Sequence, residues 1–248
     1  MPQATFRFYE ELNDFLPPER RKVAFEHEFD RRASIKDMIE SLGVPHAEVE
    51  LIVVNGESVG FDHIVRDGDR VAVYPVFEAI DIANAVRLRD RPLRTPRFVL
   101  DVQLGRLARY LRLCGLDTLY RNDYADDEVA AISAREHRIL LTRDRDVLKR
   151  RIVTHGYFVR SDDPAAQLAE VLERFDLHDA TVPFTRCARC NGLLEDVDKQ
   201  EILHQLEPLT RRYHDRFRIC AGCGQIYWQG SHVRRIERWL ARIRSKRA

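Results

Sequence analysis

Three short apolar runs separated by two amphipathic segments, all within residues 97–146, constrain this chain more than anything else in it. Phe98-Val99-Leu100 stops at Asp101, Leu116 to Tyr120 follows, and Ile139-Leu140-Leu141 shows no polar alternation at all. An unbroken apolar run of that length predicts a strand covered on both faces. Between the first two runs, Leu104, Leu107, Ala108 and Leu111 recur at helical spacing, with Arg106, Arg109 and Arg112 off the stripe, until Gly115 breaks it. Asp126 opens the second helical segment, where an acid both caps and suits the helix dipole. Strand, helix, strand, helix, strand at this spacing predicts an α/β fold, a parallel sheet with crossover helices. Ligands of such sheets gather beyond the carboxyl ends of the strands. Asp101, Asp144 and Asp146 fall there.

The acids suggest chemistry. Asp101, Asp126, Asp144 and Asp146 come from three places in the chain and can converge on one sheet edge. Clustered carboxylates repel one another and resist ionisation unless a cation neutralises them. A hard divalent ion on oxygen ligands, Mg²⁺ or Mn²⁺, is the natural neutraliser. Such an ion orients a water, lowers its pKa and stabilises charge on a phosphodiester. A single Asp at a strand end or helix start is more often a cap than a ligand, but two at the ends of buried strands shift that balance. Asp127 competes with Asp126 for the ligand role, and Asp117 and Asp123 are weaker candidates. Arg106, Arg109 and Arg143 either hold the scissile phosphate or pair with these acids. Neither a Gly-rich phosphate loop nor a GxSxG elbow occurs.

Residues 1–80 read as a self-contained α+β sheet. Thr5 to Tyr9 and Arg21 to Phe29 are strand candidates, Ser34 caps a helix through Leu42, and Leu51 to Val54 leads into the turn Asn55-Gly56 before a last strand at Val71 to Pro75. Residues 81–96, charged and with Pro92 and Pro96, read as a linker. Residues 97–180 form the α/β domain, continuing through a helix at Val147 to Ile152, a strand at Tyr157 to Val159 and a helix at Pro164 to Phe175. Residues 181–248 hold Cys187-Ala-Arg-Cys190 and Cys220-Ala-Gly-Cys223, then a basic C-terminal helix. Two CxxC knuckles supply the four thiolates of a closed structural zinc site, leaving no open position for catalysis. The insert between them is long, but the cost of closing a loop grows slowly with its length. Cys114 reads as a buried apolar cysteine.

The net charge of +1 hides a gradient. Residues 1–80 carry 9 Lys and Arg against 16 Asp and Glu, whereas residues 181–248 carry 14 against 7. A basic tail predicts a polyanionic partner. Arg211, Arg212, Arg234 and Arg235 lie among Tyr213, Phe217, Tyr227, Trp228 and Trp239. Cations for phosphates and aromatic faces for bases suit RNA, although Tyr227 and Trp228 can equally pack the ribbon. With neither a signal peptide pattern nor an apolar stretch of membrane-spanning length, a cytoplasmic protein is expected.

Two resemblances follow from the motifs. VNGESVGFDHIVRDGDRVAVYPV resembles the ubiquitin-like β-grasp family of small sulfur carriers, but PVFEAIDIAN replaces their diglycine tail, so a scaffold or protein-docking role is expected rather than sulfur transfer. LDVQLGRLARYLRLCGLDTLY, DDEVAAISAREHRILLTRDRD, RCARCNG and CAGCGQIYWQGSH resemble the Mut7-C RNase family, a PIN-like nuclease domain followed by a zinc ribbon. That resemblance implies a Rossmann-like sheet with acidic metal ligands at Asp101, Asp126 and Asp144, with Asp146 next. A metal-dependent ribonuclease, an endonuclease, is the expectation. The rival is a non-catalytic RNA-binding adaptor that has lost its metal. A DNA nuclease is a further rival.

Overall fold

The computed structural model describes residues 1–75, 96–228, 230 and 238. The expected linker and the basic C-terminal helix, with Arg234, Arg235 and Trp239, lie outside these residues. The chain makes two compact units that interleave along the sequence: Met1–Thr95 with Asp126–Phe158, and Pro96–Ala125 with Val159–Ala248. Among the described residues no helix is long and apolar enough to cross a membrane.

The first unit begins with a β-grasp domain. Its elements are β1 (Gln3–Phe8), β2 (Phe25–Glu28), α1 (Ile35–Ser41), β3 (Val49–Val54), β4 (Glu57–Ser58) and β5 (Arg70–Pro75). The sheet order is β2-β1-β5-β3-β4, with β1 and β5 parallel at its centre and the other neighbours antiparallel. Alternation puts Ala4, Phe6 and Phe8 of β1 in the core with Val71 and Val73 of β5, against Ile35, Met38 and Ile39 of α1. Ser34 caps α1 by accepting from the Asp37 N–H. Asn55 and Gly56 both take positive φ, as a two-residue hairpin turn requires. The expected second strand starts four residues late, because Lys22 takes a positive φ and its N–H donates to Asn13 Oδ1 at 2.6 Å.

The α/β region supplies β6 (Phe98–Leu100), α2 (Gly105–Leu113), β7 (Thr118–Leu119), α3 (Asp126–Glu136), β8 (Ile139–Thr142), α4 (Arg145–Leu148), β9 (Gly156–Phe158) and α5 (Pro164–Arg174). The expected mixed α/β architecture is present: β6 pairs in parallel with β7, and β8 in parallel with β9, with helices between them. All of β6 and β8 is buried, each large apolar side chain contributing about 1.5–3 kcal/mol. Asp163 caps α5 by accepting from the Ala165 and Ala166 N–H groups. Two expectations are corrected. The helix expected over Val147 to Ile152 begins earlier and is only four residues long, because Asp144 nucleates it. The strand expected over Leu116 to Tyr120 shrinks to two residues.

The C-terminal ribbon comprises β10 (Leu194–Val197), α6 (Lys199–Ile202), α7 (Pro208–Tyr213), β11 (Phe217–Cys220) and β12 (Ile226–Trp228), with the strands antiparallel in that order. Its small core is Ile202, Leu206 and Phe217, with Val197, Ile226 and Trp228 against them. The short α6 and α7 fill the long insert between the two CxxC pairs.

Candidate functional site

Asp101 ends the buried strand β6 and is itself only 5% exposed. It precedes a 3-10 turn, Val102–Leu104, but its side chain makes no capping bond there. The turn is held instead by Tyr120, whose hydroxyl donates to the Val102 carbonyl at 3.0 Å. Position 105 must be glycine for that contact, since a Cβ would come within 2.6 Å of the Tyr120 Oη. An open cleft of about 550 Å³ adjoins the turn, lined by Gln103, Arg106, Tyr120, Asp162 and Gln167 among others.

The remaining acids lie on the other compact unit. Asp126 and Asp127 open α3 and both face Arg150, Asp126 at 3.8 Å and Asp127 in direct contact. Asp144 lies two residues beyond β8 and caps α4, its Oδ1 accepting from the Asp146 N–H at 2.8 Å. The Asp144 N–H donates to Thr142 Oγ1 at 2.9 Å. The Asp146 side chain is 90% exposed, with Lys149 at 3.8 Å. Among the described residues, Asp126, Asp144 and Asp146 do not by themselves form a group of three ligands within reach of one ion.

The four cysteines do form such a group. The Sγ atoms of Cys187, Cys190, Cys220 and Cys223 all lie within 4.8 Å of one another. Cys187 and Cys223 are 3.6 Å apart and Cys190 and Cys220 3.4 Å apart, against about 3.8 Å for a tetrahedron with 2.3 Å Zn–S bonds. Gly192 permits the approach, because a Cβ there would come within 2.9 Å of the Cys220 sulfur. Burial raises the Cys187 thiol, but hydrogen bonds from Tyr227 and from the Cys190 and Arg189 N–H groups outweigh it and hold the pKa at about 7. Burial, aided by hydrogen bonding with Cys220, Cys223 and Cys187, pushes Cys190 up to about 12 against the pull of the Gly192 N–H. The thiols cannot all ionise together without a cation, and soft sulfur donors at this spacing fit zinc.

Two residues around this cluster have roles the sequence did not reveal. The Tyr227 hydroxyl lies 3.1 Å from the Cys187 sulfur and accepts from the Ala188 N–H at 3.0 Å. Arg112, expected on the solvent side of its helix, is 4% exposed. It donates to the carbonyls of Thr118 at 2.8 Å and Arg189 at 2.9 Å, and more weakly to those of Ala188 and Tyr120. Burial lowers the Arg112 pKa, and negative charge on Cys187 and Cys190 opposes that shift. Asn191 adds to the junction: its Oδ1 accepts from the Thr118 N–H at 3.0 Å, and its Nδ2 donates to Asp117 at 2.9 Å. Asp117, a weak ligand candidate by sequence, also pairs with Arg186. Asp123 pairs with Arg121.

Of the basic candidates, Arg106 and Arg109 are exposed on α2 and Arg212 on α7. Arg211 donates to the Leu203 and Leu206 carbonyls. Trp228 packs on Phe217 and His214, as expected of a ribbon core residue.

The Mut7-C RNAse domain family matches residues 96–240 and the Mut7-C ubiquitin family matches residues 1–81. The chain belongs to the Mut7-C RNAse domain family. Both resemblances noted from the motifs are thereby met, with the cysteine cluster where a zinc ribbon requires it. Among curated proteins none matches the chain. Two crystal structures from Haloferax volcanii are similar to its front part. One is small archaeal modifier protein 1, at 16% identity over 30% of this chain and 98% of that one, with a TM-score of 0.25. The other, titled SAMP1, is at 15% identity over 31% and 98%, also with a TM-score of 0.25.

Proposed function

We propose that this Mut7-C protein is a metal-dependent ribonuclease that hydrolyses RNA internally. The observation that carries the reading is Asp101, a carboxylate held in near-complete burial at the carboxyl end of a buried parallel strand, in a chain of this family. Asp101, Asp126, Asp144 and Asp146 would hold the cation. Their donor set is carboxylate oxygen alone, which fits Mg²⁺ or Mn²⁺ rather than a thiophilic metal. Such an ion supplies a water of lowered pKa and charge stabilisation on the phosphodiester. The chain's own part is binding and orientation. Arg106, Arg109 and Arg143 take phosphate oxygens, and the ribbon's Arg211, Arg212, Arg234 and Arg235 track the RNA backbone. Zinc on the four cysteines is structural. RNA in the cytoplasm is the substrate this reading assigns.

The adaptor reading has two observations in its favour. Asp126 and Asp127 already share Arg150, and Asp144 already serves as a cap. Crystals of the zinc-loaded protein soaked in Mn²⁺ distinguish the two. The ribonuclease reading predicts anomalous density on Asp101 that disappears in Asp101→Asn; no density near any of the four acids favours an adaptor that binds RNA without cutting it.

A further inference from the structure

The helix α4 spans only Arg145–Leu148, too short to keep its shape through its own hydrogen bonds. Val147 and Leu148 fix its inner side, both being fully buried. Leu148 rests on Gly156 of β9, where a Cβ would come within 2.4 Å of its Cδ2. The start of the helix is held differently. The Arg145 guanidinium lies 5.1 Å from the ring centre of Phe15 and 5.4 Å from that of Phe158. Those two rings meet edge to face at 5.7 Å.

Phe15 belongs to the β-grasp domain, at the end of the 3-10 turn Glu10–Phe15, and is 5% exposed. Phe158 lies on β9, yet it packs against the β-grasp core. Its N–H donates to the carboxylate of Glu48, a fully buried β-grasp residue. The front domain therefore grips β9 and Arg145 together. Arg145 stands between Asp144 and Asp146, the two acids assigned to the cation on this segment.

We infer that the β-grasp domain is a built-in positioning element for the Asp144–Asp146 turn, acting through Arg145; the inference rests on the cation-binding role proposed above. A guanidinium lying over two aromatic rings is attracted by both ring quadrupoles. Holding that side chain fixes the peptide units on either side of it. Asp144 is thereby kept in the conformation that places one oxygen on the Asp146 N–H. Arg145 is a positioning residue, and it touches neither cation nor RNA. The role also gives the front domain a use that needs no diglycine tail.

The test uses full-length, zinc-loaded protein and reads Mn²⁺ binding from the electron paramagnetic resonance of the free ion. Arg145→Gln and Phe15→Leu are each expected to weaken Mn²⁺ binding about tenfold, the loss of one such contact to the bound turn. RNA affinity without divalent ions should stay within about twofold in both, since neither residue is among those assigned to phosphate. Arg145→Lys keeps a cation over the rings and should recover most of the Mn²⁺ affinity. The double variant Arg145→Gln/Phe15→Leu should bind Mn²⁺ no more weakly than the weaker single variant, because both changes remove one shared contact. Arg145 is exposed, so its variants fold whatever becomes of Phe15→Leu. Wild-type Mn²⁺ affinity in Arg145→Gln overturns the positioning role and leaves the ribonuclease reading standing. A wild-type protein that binds no Mn²⁺ overturns both.

Discussion

Asp144 has an observed role as a cap and a proposed one as a ligand, and a single substitution can separate the two. Its Oδ1 caps α4 and its carboxylate charge is what a cation would need. Asparagine caps a helix about as well as aspartate, so Asp144→Asn should change stability by less than about 1 kcal/mol while lowering Mg²⁺- or Mn²⁺-dependent cleavage at least about 100-fold. Asp144→Ala should lose both, and parallel denaturation and cleavage assays check the contrast. Equal cleavage by Asp144→Asn and wild type would remove this residue from the chemistry. Tyr227 allows a similar test at the four-cysteine site. Its hydroxyl bonds the Cys187 sulfur, and partners of metal ligands are worth about 10–100-fold in affinity. Tyr227→Phe should therefore release zinc to a competing chelator at about tenfold lower chelator concentration, with the ribbon still folded when zinc is saturating.

Among the elements, α2 joins the nuclease-type region to the ribbon, because Arg112 reaches from the helix to the first CxxC knuckle and to β7. Arg112→Met fills the volume but strands the Thr118 and Arg189 carbonyls. Each lost bond from a charged donor is worth about 1.5–3 kcal/mol, so the two together should lower Tm by about 6–20 °C in a chain this long. An unchanged melting curve would show the junction to be idle. This element also marks where sequence reading stopped. The apolar stripe Leu104, Leu107, Ala108 and Leu111 was legible from its period, and so were the cap Ser34 and the turn Asn55-Gly56, because each obeys a local rule. Arg112 was not, since its burial comes from carbonyls 76 and 77 residues away. The start of α4 was missed by two residues, because Asp144 caps it and Arg145 packs on Phe15 and Phe158. The cysteine cluster was fully legible, because CxxC geometry is local to each knuckle. The grip of Glu48 and Phe15 on β9 left no trace in periodicity.

For the whole molecule, charge is divided between a front of 9 basic against 16 acidic residues and a tail of 14 against 7. If the tail meets RNA through phosphates, log affinity should fall linearly with log salt, with a slope of about −0.7 per single-strand phosphate neutralised. Arg212→Ala should make that slope shallower by about 0.7 while weakening binding to different RNA sequences alike; a slope unchanged by the substitution would take Arg212 out of the interface. Removing zinc should abolish this binding too, since the ribbon's core is only a few apolar side chains and such small modules depend on their metal to fold. The cation proposed for the aspartates is a separate matter, since a hard, exchangeable ion on carboxylates would not be needed for folding. The most direct measurement follows from that separation. Zinc-loaded protein, stripped of other divalent ions, is given end-labelled single-stranded RNA, with and without added Mn²⁺, beside Asp101→Asn. Internal cuts that appear only with Mn²⁺ and only in the wild type are predicted; cuts that persist in Asp101→Asn, or intact RNA in every lane, would contradict the account.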